Sequence, residues 1–387
     1  NGLSIALQFH INILVLFYFL NYCTPMVDVY PNTFQKGRGA VSNATGRFEE
    51  KTVYAVNDGW DLQDDLPPLR TSVTDERPKT IITRNKSPDV SFDQSINPYR
   101  GCEHGCVYCF ARPTHAFHGL SSGLDFESKL FAKPDAAKLL RAELRRPGYV
   151  ADPIAIGTNT DPYQPIEKHR RIMRDVLKVL DAHNHPVSVV TKSSLVLRDL
   201  DILGPMAARG LASVGLSVTT LDRDLARHME PRAATPSRRL HAIRGLTDAG
   251  VKTFCLAAPI IPGLNDHELE NIVTAAADAG VVGAGYVLLR LPLEIKELFT
   301  EWLDKHASGR KSKVLSMIRA SRNGALYVSD WSTRQRGTGK YADLLEARMA
   351  LLRKRLHLTN ADRPAEFKLR TDLFTVPPRA GDQLQLL

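Results

Sequence analysis

From about residue 95 onward, short apolar runs alternate with stretches whose apolar positions recur every three or four residues. The runs read as strands at 152–157, 186–191, 212–219, 251–257 and 283–289, and a further strand is expected near 95, just before a cysteine-bearing segment. Their shortness and their Val and Ile content favour buried strands over helices. Between them, 136–146, 167–182 and 237–249 repeat at helical spacing. Two helix ends are alike, Thr247-Asp248-Ala249-Gly250-Val251 and Ala277-Asp278-Ala279-Gly280-Val281. A glycine cap handing the chain to a buried strand accounts for both. Apolar strands alternating with helices are the rhythm of parallel β-α units, and about six such units fit. The rhythm alone does not separate a parallel barrel from a doubly wound sheet, because both gather their post-strand loops at one end.

The flanks follow other patterns. Residues 31–94 are rich in Gly, Pro, Asn and charge, and Gly37-Arg38-Gly39-Ala40 and 43–47 read as turns. Such a segment suits an irregular extension, a wrap across a protein face or an anion contact. After 308 come two basic runs, 308–313 and 334–340, with a short strand expected at 325–328. A helix is expected over 341–356, its basic end complementing the dipole. Beyond it, an irregular tail from 357 would dock through Leu373, Phe374 and the final leucines. The leading stretch 5–20 is apolar but broken by Gln8, His10 and Asn12. It is short for a membrane span and lacks the basic lead of a signal peptide. Asn1 opens the chain and Met26 precedes the first soluble-looking sequence, so the stretch reads as a misassigned start or a membrane-proximal helix. The expected division is 1–30 apolar segment, 31–94 irregular extension, 95–307 core, and 308–387 basic C-terminal extension, with no firm membrane partner.

Composition narrows the class. At 387 residues and 43% hydrophobic, the chain can bury a full core, as one large α/β domain or two modest ones. The formal charge of +9 is compatible with nucleic acid, and equally with phosphorylated or acidic partners. Five cysteines are too few for a disulfide-rich secreted protein, and a reducing, cytoplasmic setting suits thiolate ligands.

Three of those cysteines fall in one short segment, Asn97-Pro98-Tyr99-Arg100-Gly101-Cys102-Glu103-His104-Gly105-Cys106-Val107-Tyr108-Cys109-Phe110. Thiolates this close need a cation to hold them together. One reading is a three-thiolate iron-sulfur cluster with an open iron. The other is a structural zinc site completed by His104, His115 or His118. The post-strand stretches carry further candidates: Gly157-Thr158-Asn159-Thr160-Asp161-Pro162-Tyr163-Gln164, Lys192, Thr219-Thr220-Leu221-Asp222, and Pro259-Ile260-Ile261-Pro262-Gly263-Leu264-Asn265-Asp266. Lys192 follows its strand directly, where it could meet a cofactor carboxylate or a substrate phosphate. Glu230, Arg232, Arg238 and Arg239 read either as neighbours of the site or as a solvated ion network.

The spacing Cys-x-x-x-Cys-x-aromatic-Cys resembles the signature of the radical S-adenosylmethionine (SAM) superfamily. The Gly37, Asn97, Gly157 and Pro259 motifs together resemble its Rv2578c-type branch, related to spore photoproduct lyase-like proteins. The resemblance implies a partial parallel (β/α)6 TIM-like barrel with an irregular N-terminal and a helical C-terminal extension. It implies that Cys102, Cys106 and Cys109 bind three irons of a [4Fe-4S] cluster, while the fourth iron chelates S-adenosyl-L-methionine. Tyr108 would then lie near adenine. Gly157, Thr158, Asn159, Thr160 and Asp161 would approach the methionyl amine, although the usual glycine-glycine-acidic form is absent here. Thr219 and Asp222 are ribose-side candidates, and Pro259, Ile260, Gly263 and Asn265 fall in the loop near adenine. An external one-electron donor would drive cleavage to a 5′-deoxyadenosyl radical acting on an unidentified substrate. Nucleic acid, a protein and a small metabolite are the substrate candidates, and a non-catalytic zinc-stabilised nucleic-acid-binding protein is the contrasting class. Cys255 is either a buried structural thiol or a hydrogen donor pointing into the barrel with Thr253 and Ala257.

Overall fold

The structure, a computed structural model, describes residues 37–49, 69–361 and 368–378. The apolar stretch 5–20, Cys23 and the final leucines lie outside the described residues. Six strands stand at the expected places: β1 Gln94–Ile96 ahead of the cysteine segment, and β2 Ile154–Ile156, β3 Val187–Thr191, β4 Ala212–Ser217, β5 Lys252–Ile260 and β6 Gly283–Leu288 in the apolar runs. They pair in chain order, all parallel. Gln94 lies opposite Ile154, Ile154 opposite Val187, Val187 opposite Ala212, Ser213 opposite Lys252, and Phe254 opposite Gly283. Short strands extend both edges, Thr83–Arg84 antiparallel to β1 and Thr359–Asn360 parallel to β6. The result is a mixed, open eight-stranded sheet. Residues of all six strands or their C-terminal loops line one cavity, so the sheet curves round it in a manner consistent with a partial barrel.

Five helices cross between these strands: α1 Ala136–Leu144, α2 Ile172–Ala182, α3 Leu200–Ala208, α4 Pro236–Asp248 and α5 Leu269–Asp278. The helix expected over 167–182 is divided in two, because Arg171 takes a left-handed φ of 54° after the turn Glu167–Arg170. Below that break, α2 buries Ile172, Met173, Val176, Leu177, Val179 and Leu180 against the sheet. Each such burial contributes about 1.5–3 kcal/mol. The two matching helix ends behave alike. Gly250 and Gly280 have φ of 76° and 99°, and the following N–H groups of Val251 and Val281 return to Leu246 O and Ala276 O. Each is a Schellman-type closure leading into the next strand.

The C-terminal region departs from expectation in one place. Residues 325–328 form no strand. The edge of β6 that they would need is taken by Thr359–Asn360 and by Gln335 O, which accepts from Leu288 N–H. Helices Ile295–His306 and Ser308–Ala320 pack together in one apolar cluster with Cys106, Val107 and Tyr108. The basic run at 308 therefore opens a helix that shares this core. The helix expected at 341–356 spans Gly339–Arg355, and Leu373 and Phe374 dock on the main core. Among the described residues, no helix is long and apolar enough to cross a membrane.

Candidate active site

The cysteine loop leaves β1 at the C-terminal end of the sheet and is anchored from several sides. Cys102 N–H donates to Phe126 O at 2.9 Å, and Val107 N–H donates to Met229 O at 3.0 Å. Arg112, fully buried, donates through Nε to Cys106 O at 2.8 Å and through Nη1 to Ser122 O and Gly123 O. Its other nitrogen pairs with buried Glu127. The same carboxylate accepts the N–H groups of Gly39 and Ala40 at 2.9 and 2.8 Å. The Gly37-to-Ala40 turn thus wraps over the cysteine loop. Only glycine fits there: a Cβ on Gly39 would lie 1.7 Å from Gly105 O.

The second motif is tied to the first. Asn159 N–H donates to Asn97 Oδ1, Thr160 Oγ1 to Tyr99 O, and Gln164 Nε2 to Gly101 O, at 3.1, 2.8 and 3.2 Å. Gln164 Oε1 accepts Glu103 N–H at 2.9 Å. Asp161 accepts from Thr191 Oγ1 and Lys192 N–H, both at 2.7 Å, and its Oδ2 lies 3.3 Å from His104 Nδ1. Burial would raise the Asp161 pKa, yet His104, Thr191 and the Lys192 N–H hold it at about 2. The third motif folds on itself and on β4: Asn265 Nδ2 donates to Thr219 O and Pro259 O, while its Oδ1 accepts Ile261 N–H.

Cys102, Cys106 and Cys109 are free thiols lining one cavity of about 780 Å³. Tyr108, Gly157, Thr158, Asn159, Thr160, Asp161, Lys192 and Pro259 share that lining. Thr219, Asp222, Ile260, Gly263 and Asn265 do not. Thr219 stands one layer behind, 3.2 Å from the Tyr108 hydroxyl and 2.7 Å from Glu230 Oε1. Asp222 is exposed and caps helix Arg223–Met229. Cys255 is fully buried, and its thiol is pushed up to about 12 by that burial. On β5 the cavity is lined by Leu256 and Ala258, so Cys255, Thr253 and Ala257 face the opposite way, toward the helical layer. Alternation supplied the right pairing of residues and the wrong face.

Glu230 is the residue whose role the sequence left open. It is buried, and it meets the Tyr108 hydroxyl, Thr219 and Arg239, with Lys192 Nζ 3.8 Å away. Glu230 and Arg239 thus belong to the buried wall of the site, whereas Arg238 is exposed. Arg232 reaches back to Glu103 at 3.2 Å. Lys192 Nζ sits 5.8 Å from the Tyr108 ring centre, where burial lowers its pKa against the pull of Cys106 and Asp161. Glu127 and Arg112 carry no comparable signal in the sequence, because neither follows a predicted strand.

The donor set fits an iron-sulfur cluster. Burial, followed by the charges of Asp161, Cys106 and Cys109, pushes the Cys102 thiol well above its usual value. Cys106 is raised by burial and Glu230, and Cys109 by burial. Thiolates there require a bound cation. Among the described residues no three His, Cys, Asp or Glu groups converge tightly enough to hold a single metal ion. A cluster makes no such demand, since it spreads its thiolates over separate irons. His115 and His118 do not line the cavity; His115 Nε2 lies 2.9 Å from Lys129 O and His118 stacks on Phe131.

Comparison with known proteins places the family and the fold. The model of the Radical SAM superfamily matches residues 96–276. Uncharacterized protein Rv2578c of Mycobacterium tuberculosis is 33% identical over 286 residues, covering 73% of this chain and 80% of that one. Uncharacterized protein MJ0683 of Methanocaldococcus jannaschii is 30% identical over 190 residues, covering 49% and 68%. Among solved structures, spore photoproduct lyase complexed with dinucleoside spore photoproduct superposes with a TM-score of 0.51 at 15% identity, covering 74% and 80%. That last likeness is one of fold.

Proposed function

This chain belongs to the radical SAM superfamily, and from that premise we propose that Cys102, Cys106 and Cys109 hold a [4Fe-4S] cluster whose open iron takes S-adenosyl-L-methionine. The protein is an enzyme of the radical S-adenosylmethionine type. The observation that carries the site assignment is the set of three free thiols, on one loop, facing the cavity that the post-strand loops also line. When bound, cluster and cofactor supply one-electron cleavage of the sulfonium to a 5′-deoxyadenosyl radical, the electron coming from an external donor. We read the six parallel units as the (β/α)6 partial barrel of this chemistry, working in the cytoplasm.

The chain's own residues bind and orient. Tyr108 and Pro259 offer apolar surface for adenine, and Lys192 offers a cation for the methionyl carboxylate. Gly157 to Thr160 present backbone close to the thiols. Asp161 already accepts several donors, so its work is to fix that loop against the cysteine loop. Thr219 and Asn265 hold Tyr108 and the Pro259 loop from behind. Asp222, Ile260 and Gly263 complete the same loops as positioning residues.

For the substrate we favour nucleic acid. Among the described residues, six cationic side chains line the cavity (Arg84, Arg100, Lys133, Lys192, Arg290 and Arg334) against one carboxylate, Asp161. The spore photoproduct lyase fold also accommodates a dinucleoside in its own complex. A protein or small metabolite substrate remains the alternative. Anaerobic reconstitution tests the reading. Near four irons per chain, charge-transfer absorption and dithionite-dependent 5′-deoxyadenosine are expected. Stoichiometric zinc without cofactor cleavage would replace the enzyme reading by the zinc-stabilised one.

A further inference from the structure

The cations at the cavity are not equivalent. Arg100 is neutralised by Glu76 and Arg334 by Asp89, and Lys192 lies beside Glu230. Arg84, Lys133 and Arg290 have no ion-pair partner among the described residues. Lys133 is buried and donates to a backbone carbonyl, Asn97 O, at 2.9 Å.

Arg290 is the most telling. It lines the cavity, and its Nε is buried with no hydrogen-bond partner among the described residues. Its guanidinium lies 5.0 Å from the centre of the Phe110 ring. Phe110 follows the last cysteine, lines the same cavity and remains 44% exposed. A second arginine, Arg322, lies close enough to feel the Arg290 charge; it is buried, and among the described residues its guanidinium bonds to the carbonyls of Leu288, Leu289 and Thr333. Burial and then the Arg290 charge lower the Arg322 pKa to about 10. Neither guanidinium pairs with a carboxylate among the described residues, which leaves a local excess of positive charge at the wall. An unpaired buried donor is costly, and it becomes favourable when an anion completes it.

We propose that Phe110 and Arg290 form a nucleotide subsite beside the cluster loop, in which the ring stacks a base and the guanidinium fork takes a phosphate. Aromatic faces accept any base, and a planar guanidinium matches phosphate geometry in a way that an ammonium does not. The subsite rests on the reading of this cavity as the reaction site. The thiols are recessed at the cavity wall, so a base brought toward the cofactor held there must leave its helical stack. A single strand or an extruded nucleotide meets that requirement.

The test is fluorescence anisotropy with 5′-labelled octathymidylate, on the protein as isolated and after anaerobic reconstitution, with cofactor cleavage measured separately. Arg290→Ala is expected to weaken binding about tenfold and to lower the salt slope by about one. Phe110→Leu should weaken it by about tenfold with little change in slope. Arg310→Ala, which removes one exposed charge elsewhere, should leave affinity within about twofold. Iron content after reconstitution checks that each variant folds. Competition by thymidine monophosphate would identify a free nucleotide as the source, and competition by strand alone would identify a polynucleotide; both support the subsite. Equal affinity of wild type and Arg290→Ala would overturn it, as would equal competition by a hexaglutamate peptide or no binding by wild type. Failure of cofactor cleavage with the predicted binding intact would count against the catalytic reading and leave the subsite standing.

Discussion

Glu127 joins three segments that are distant in the chain: it pairs with Arg112, accepts the N–H groups of Gly39 and Ala40, and lies beneath the cysteine loop. Both charged side chains are wholly buried. Removing one partner strands the other, so Glu127→Gln should cost about 3–5 kcal/mol in anaerobic thermal or urea unfolding. It should also lower iron retained on reconstitution; full iron and unchanged stability would show that the pair does not support the loop. Cys255 leads to the opposite expectation. Because it faces the helical layer, Cys255→Ala should cost about 1 kcal/mol and leave cofactor cleavage at the wild-type rate. A selective loss of product from a turned-over substrate would restore the hydrogen-donor role. The contrast shows what residue-level reading can reach. Three cysteines are legible because they fall within eight positions and their chemistry needs no partner from elsewhere. Glu230 and Tyr108 stand 122 positions apart, and nothing local in either segment announces the other.

The positions of β2 to β6 were legible because each falls in a short apolar run, and α4 and α5 end where their glycines predict. Which face of β5 looks inward was not, since that parity is fixed by pairing with β4 and β6 and not by alternation itself. The failed strand at 325–328 has the same origin: a strand needs a free edge, and the tail had already taken it. The seam between the sheet's two edges is bridged instead by side chains. Arg334 makes two bonds of 2.5 Å to the Asp89 carboxylate, and Gln335 Nε2 adds bonds to Asp89 O and Oδ2. Burial would raise the Asp89 pKa, but the Arg334 and Gln335 bonds outweigh it and the net shift is downward. A carboxylate held below its unfolded value, about 3.9, adds stability above that pH and loses it as the pH falls through the folded value. Asp89→Asn should therefore destabilise the protein at neutral pH by about 1–3 kcal/mol, with the deficit shrinking below about pH 4. Amide exchange should quicken at 85–92 and 329–336 while β2 to β5 stay protected. A pH-independent deficit, or uniform quickening, would mean that the bridge is not the seam's closure.

At the scale of the molecule, the six-unit rhythm and the cavity at the strand C-termini support each other. The loops that carry the cysteine, Gly157 and Pro259 motifs all emerge at that end, and hydrogen bonds join the first two directly. The C-terminal helices contribute as well, because the cluster around Trp302 includes Cys106 and Tyr108. That packing could not be read from the basic composition of 308–313. The central claim is that three thiolates leave one iron free for S-adenosyl-L-methionine. Electron paramagnetic resonance of the dithionite-reduced, reconstituted protein tests it most directly, because a new ligand on one iron changes the cluster's g-values. The expected result is a reduced-cluster signal that shifts when S-adenosyl-L-methionine is added and is lost in Cys106→Ala. A signal indifferent to the cofactor, or none from a correctly folded protein that holds stoichiometric zinc, would contradict it.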